Sequence, residues 1–349
     1  MTEASAEPST NAAAEPVPAL ERRSRWQRYI AFWNEQEAPD ALALLRITFG
    51  LAFVGNVLEQ ILFGNVLELY ADIPAGGIFG FEKSFPYTVF QFVPLTTGWI
   101  WALVILQLLA SVTLTLGLFS NISALIVLIL QISFFDRMVL FRFSADEVYR
   151  VACYLMLISP IGAAWSLDAA WRGKGRARIG KWARRMFMLQ LAVIYSRTGI
   201  VKLGSSWSFM DGWSAIWLSL NLPGVNRWSG DWAAKFYPLT QVATFLVSWW
   251  EVSFFLLPLN QYLRQRPRRK RALARLLARY DLRPLYLGFG FCMHLGIMIT
   301  MNIGMFAPVM WSLYPAYLKP DESRRVLQKL LGWAGARRAG STEQVMSGS

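Results

Sequence analysis

Runs of residues long enough to cross a bilayer and almost free of charge restrict this chain to one kind of architecture. Gly98 to Phe119 and Asn121 to Phe135 are the clearest, and about 20 apolar residues in a helix span a hydrocarbon core roughly 30 Å thick. Backbone in lipid must satisfy its own hydrogen bonds, so only helices and closed barrels cross. Unbroken apolar runs of this length select helices. The composition agrees, with 55 % of residues hydrophobic and only 16 % charged, unlike a soluble globular average.

The pattern predicts helices over about 40–62, 98–118, 120–137, 146–165, 186–204 and 239–260. Residues 285–318 exceed one ordinary crossing and contain Asn302, Gly304 and Pro308. They are expected to form two short or broken crossings, with a re-entrant hairpin as the other arrangement. The expected fold is therefore all-α: a polytopic integral membrane helical bundle of about eight segments, the last pair short or broken. Residues 1–38 read as a disordered tail and an interfacial helix, 39–318 as the transmembrane domain, and 319–349 as a basic tail. Within the first segment, Trp26, Tyr29, Ile30 and Trp33 recur at helical spacing among arginines, as in a helix lying in the membrane interface.

A formal charge of +13 could mark a nucleic-acid binder, but the basic residues lie between the apolar segments. Seven stand from Arg172 to Arg185 with no acid, and nine from Gln261 to Pro284 against Asp281 alone. This is the distribution the positive-inside rule gives cytoplasmic loops, so no nucleic-acid partner is expected. With the N-terminus inside, loops 63–97 (net −2), 136–147 (net −1) and 205–238 (net 0) fall outside, and both basic loops fall inside. An even number of crossings returns the basic tail from Lys319 to the inner side. The chain is thus expected in an inner or plasma membrane with N- and C-termini cytoplasmic. The outer loop 205–238 holds Trp207, Trp213, Trp217, Trp228 and Trp232, which suits the outer interface. Cys153 and Cys292 lie in apolar segments and His294 is the single histidine, so neither a disulfide framework nor a His-cluster metal site is expected.

Charged groups inside a bilayer are costly and call for water, a partner or a function. Arg46 lies near the inner end of the first helix, where snorkelling or pairing with an acid is the plain reading. Asp146, Glu147 and Arg150 open the fourth helix at its outer end, where acids also favour the helix dipole. Lys202 stands near the outer end of the fifth helix, just before Trp207; an ammonium in a poorly hydrated pocket can become a general base, while a snorkelling lysine has no such role. Glu251 interrupts an apolar helix and must be protonated, paired or in a cavity, with Arg197 one candidate partner. His294 can bond a neighbouring helix or donate to an anionic or quinone oxygen.

Five motifs in one order bear on the family. They are Arg46-x3-Gly50; Leu116-Gly117-Leu118; Trp165-Ser166-Leu167-Asp168; Gln190-x4-Tyr195-x3-Gly199-x2-Lys202-Leu203-x3-Trp207; and His294-x8-Ile303-Gly304-Met305-Phe306-x2-Val309-Met310. Together, over about 40–318, they resemble the membrane domain of vitamin K-dependent γ-carboxylase, whose bacterial relatives form the HTTM (horizontally transferred transmembrane) group. The resemblance implies an outward-facing site in which Lys202 acts as base toward a reduced isoprenoid quinone. It further implies that oxygenation of the quinol yields a strong base, which takes a proton from a substrate glutamate before carbon dioxide adds. His294, Trp207, Glu251, Arg46 and Asp146 are the candidate cofactor- or substrate-binding residues, and no metal is expected. The sequence departs from the animal enzymes at Phe143-Ser144-Ala145, where an Asn-Asn-His motif would stand, at Asn56 for an aspartate, and at Val201 for a lysine.

Two functions remain open at this level. One is a carboxylase-like enzyme acting on a peptide or protein. The other is a non-catalytic maturation component that binds a quinone, lipid or peptide, beside a thiol-disulfide oxidoreductase partner. A transporter would show paired broken helices in an inverted repeat, and only 285–318 reads as broken.

Overall fold

The computed structural model describes residues 24–63, 65–78, 88–137, 144–173, 177–202, 204–265, 272–330 and 332. The N-terminal tail and the end of the C-terminal tail lie outside the described residues. In chain order the elements are α1 Arg25–Asn34, β1 Gln36–Glu37, α2 Asp40–Leu62, α3 Val66–Tyr70, α4 Thr97–Leu116, α5 Ser120–Arg137, α6 Ser144–Ile158, α7 Leu167–Trp171, β2 Ile179–Gly180 and α8 Trp182–Val201. There follow α9 Ala215–Leu220, α10 Asp231–Lys235, α11 Tyr237–Ser253, α12 Leu256–Arg264, α13 Ala272–Arg279, α14 Arg283–Thr300, α15 Phe306–Ser312 and a last helix over 320–330. Among the described residues the bundle is helical apart from the two-residue antiparallel pairing of β1 with β2 and a single bridge between Asn226 and Met301.

Proline and glycine set several helix ends. α6 stops at Ile158 rather than near 165, because Pro160 disfavours helical backbone just before it. The single helix expected over 239–260 is two, α11 and α12, bent by 48°. Pro258 lacks an amide hydrogen and its ring collides with the carbonyl four residues earlier, at Phe254, which is where the helix breaks. The expected break in 285–318 falls between α14 and α15, with Gly304 at φ +56°. α2, α4 and α5 are each long and apolar enough to cross a membrane, and counting the bent pairs α11–α12 and α13–α14 as one span each gives five. Eight crossings are not reached by this measure. α6 has 15 residues, α15 has 7, and α8 carries Arg184, Arg185 and Arg197.

One end of the bundle is fixed by ion pairs. Arg184 on α8 grips both Glu37 carboxylate oxygens at 2.7 Å just before α2. Arg324 binds Asp40, and Arg283 joins Asp281 to Glu322. The starts of α2, α8 and α14 therefore share this basic end, and all three run from it toward the opposite end. Between the ends, α2 packs on α4, α5 on α4 and α6, and α8 on α11.

Candidate functional site

The opposite end of α8 carries the most unusual chemistry. Tyr195, Gly199 and Lys202 lie four and three residues apart, so a helix places them on one face. Gly199 brings that face against α11: a β-carbon there would sit 2.5 Å from the Val252 amide nitrogen and 2.8 Å from Glu251 Cβ. This close approach lets Lys202, at the last turn of α8, reach Glu251. Its Nζ donates to both carboxylate oxygens at 2.8 and 2.9 Å. Glu251 is buried (5 % exposed), while the lysine side chain remains 27 % exposed. The ammonium also lies 4.4 Å from the centre of the Trp207 ring, a cation–π contact.

Next to this pair, the Tyr195 hydroxyl meets His294 Nε2 at 2.8 Å and the Tyr314 hydroxyl at 3.2 Å. Trp250 and Phe254 pack on Tyr195 at 4.6 and 4.5 Å between ring centres, and Phe306 packs on His294 at 5.2 Å. Lys202 is within electrostatic reach of His294. His294 is 1 % exposed, yet its Nδ1 is buried with no hydrogen-bond partner. A buried ring nitrogen left so is costly unless a water or ligand atom meets it.

The tryptophan-rich segment between α8 and α11 adds the remaining wall. Ile216 donates its amide to Thr244 on α11, and Gln241 bonds the Gly212 carbonyl. Further on, Arg227 donates to Thr300 O, Asn302 to Val225 O, and Trp228 Nε1 to Ile299 O at the end of α14. The segment thus bridges α11 and α14 beside the end of α8.

The structure brings together Lys202, Trp207, Glu251 and His294, and places Arg46 and Asp146 in other polar networks. Arg46 is fully buried near the basic end, six residues into α2, or about 9 Å along its axis; Lys202 is eighteen residues past Arg184, or about 27 Å. Its guanidinium is neither snorkelling nor paired with an acid through a hydrogen bond: it donates to the carbonyls of Ile161 at 3.0 Å and Trp165 at 2.5 Å. Helix ends leave such carbonyls unpaired, so Arg46 closes the turn after α6. Asp146 accepts a hydrogen bond from Gln131, which is bonded to Gln107, and belongs to a polar chain across α4, α5 and α6. The partner of Glu251 is Lys202, not Arg197.

Tyr195 stands in the fourth of the five motifs and Tyr314 in none, and neither is among the candidate site residues. For Tyr195 the available signal was its spacing of seven from Lys202, two turns on the same face. Tyr314 sits in a short 3₁₀ turn, Tyr314–Tyr317, whose position no helical period reveals.

A family model described as HTTM domain matches residues 34–321. No solved structure matches the chain.

Proposed function

Because the chain belongs to the HTTM family, we propose that it is a γ-carboxylase-like integral membrane enzyme that uses a reduced isoprenoid quinone to modify a peptide or protein at a site centred on Lys202. The reading keeps the termini cytoplasmic and the Lys202 end outward, with α6, α8 and the α14–α15 pair as crossings. The carrying observation is the ion pair of Lys202 with the buried Glu251, set beside a histidine whose Nδ1 is buried without a partner. The chemistry suits a hydroxylated aromatic ring: Trp207 presents a ring face to Lys202, Phe306 packs on His294, and the unpartnered His294 Nδ1 would meet a ring oxygen. When bound, a quinol supplies an ionisable ring hydroxyl and reducing equivalents.

As paired, Lys202 is an ammonium. Transfer of its proton to Glu251 leaves a free amine beside a neutral acid, so the two residues act as one acid–base couple. The bond from His294 Nε2 to Tyr195 fixes the ring and directs Nδ1. Burial of Glu251 strengthens the electrostatic effect of the couple.

The test supplies the purified protein with a reduced isoprenoid quinone, oxygen, labelled bicarbonate and a glutamate-rich peptide. Label enters the peptide with wild-type protein and falls by about 100-fold or more in Lys202→Met/Glu251→Gln. The closed, two-bonded form of the ion pair favours the second reading, a non-catalytic quinone- or peptide-binding maturation component beside a thiol-disulfide oxidoreductase. A quinone that co-purifies with wild-type protein while no label is incorporated selects that reading.

A further inference from the structure

A cavity lies at the other end of the bundle, away from Lys202. It has a volume of about 460 Å³ and is walled by α1, α8 and α12. Met188, Leu189, Ala192 and Val193 form one side, with Phe255 and Leu259 opposite. Its mouth holds Arg184 and Arg185, with Gln261 and Gln265 facing them.

We propose that this cavity is a binding site for one anionic glycerophospholipid, its acyl chain along α8 and its phosphate at the arginine mouth. Three observations carry the assignment. From Arg185 to Ser196 the lining runs eleven residues, or about 17 Å, which matches one leaflet of a hydrocarbon core roughly 30 Å thick. Charge at the mouth is unbalanced among the described residues. Lys181 and Arg185 share Glu35, Arg184 takes Glu37, Arg283 takes Asp281 and Glu322 with Asp281 also within electrostatic reach of Arg264, and Arg178 and Arg264 donate to backbone carbonyls, so these six cations meet four acids. A phosphate is the complement of such a surplus. Finally, α1 is an interfacial helix whose Trp26, Tyr29 and Ile30 are exposed, so the wall it lends to the cavity sits at headgroup level. Its Trp33 indole Nε1 is buried without a partner and belongs to the same lining, a spare donor for an ester or phosphate oxygen.

Arg184 ties α8 to Glu37 just before α2 and Arg185 ties it to the end of α1, so replacing them tests folding rather than the lipid. Leu189 and Val193 are exposed at 42 % and 58 %, and larger side chains there fill the groove without entering the core. The experiment is native mass spectrometry of the purified full chain after exchange into mixed phosphatidylglycerol and phosphatidylcholine. Wild-type protein should retain one phosphatidylglycerol, with a preference of about 10-fold over phosphatidylcholine. Leu189→Trp/Val193→Trp should lose that bound lipid. Gln265→Glu, which keeps an acceptor for Arg185 and cancels one positive charge, should lose the preference while still binding lipid. Equal retention of the two lipids by wild type, or a bound phosphatidylglycerol that both variants leave unchanged, overturns the proposal. Retention of a quinone instead of a phospholipid overturns it as well.

Discussion

Removing the Lys202 ammonium strands the Glu251 carboxylate, 5 % exposed, with no hydrogen-bonded cation to neutralise it. Breaking a buried pair by one partner costs several kcal/mol, whereas replacing both with groups of similar shape is close to neutral. Lys202→Met should therefore lower stability by about 3 kcal/mol, the lower end because the lysine is partly exposed. Lys202→Met/Glu251→Gln should recover most of that. Thermal unfolding in detergent measures both, and equal destabilisation by the single and double variants contradicts the pairing. Arg46→Met gives the opposite dissociation. It leaves the Ile161 and Trp165 carbonyls without their donor and should cost about 3 kcal/mol, yet folded protein should keep its quinone affinity, because Arg46 lies at the other end of α2 from the site. The difference between these two residues was not legible in the sequence. Both appear as a cation in a mostly apolar helix, and their partners, carbonyls after α6 for one and a carboxylate on α11 for the other, separate them.

Gly199 governs the α8–α11 contact. Gly199→Val should force α8 away from the Val252 backbone, since a β-carbon has only 2.5 Å available there, and should cost about 1–3 kcal/mol as overpacking does. It should also weaken quinone binding through the Lys202–Glu251 distance; loss of stability with unchanged affinity counts against a site at this contact. At the start of α5 a different device operates. Asp168, distant in sequence, accepts hydrogen bonds from the amides of Phe119 and Ser120 and from the Ser120 hydroxyl. Burial alone raises a carboxyl pKa, but these bonds outweigh it, and Asp168 titrates below the ordinary value of 3.8. A depressed folded-state pKa stabilises the fold above the unfolded value, and that contribution fades as pH falls from about 4 through the lower folded value. Melting temperature recorded from pH 6 downward should decline less steeply below about pH 4 in Asp168→Asn; an unchanged slope contradicts this cap. Helices α2, α4 and α5 were legible within two residues because apolar runs end at proline, glycine or charge. The α11–α12 bend was not, because its cause, Pro258, sits inside an apolar run that reads as continuous.

Across the whole molecule, the ends of the bundle divide the work. The end where Arg184, Arg283 and Arg324 lie is held by ion pairs to Glu37, Asp281, Glu322 and Asp40, and carries the proposed lipid cavity. The other end holds the Lys202–Glu251 couple, His294 and their aromatic walls. Family membership and the helical membrane character were readable in the order of the five motifs and in the apolar runs. The grouping of Lys202 and Tyr195 on α8 with Glu251 on α11 and Tyr314 in its turn depends on three separate elements meeting, which spacing along the chain does not specify. The most direct measurement is quantitative mass spectrometry of isoprenoid quinone bound to purified wild type, Lys202→Met/Glu251→Gln and Arg46→Met, each loaded with the same reduced quinone. The account predicts near-stoichiometric quinone in wild type and in folded Arg46→Met, and little in the double variant. Equal quinone in all three, or none in wild type, contradicts it.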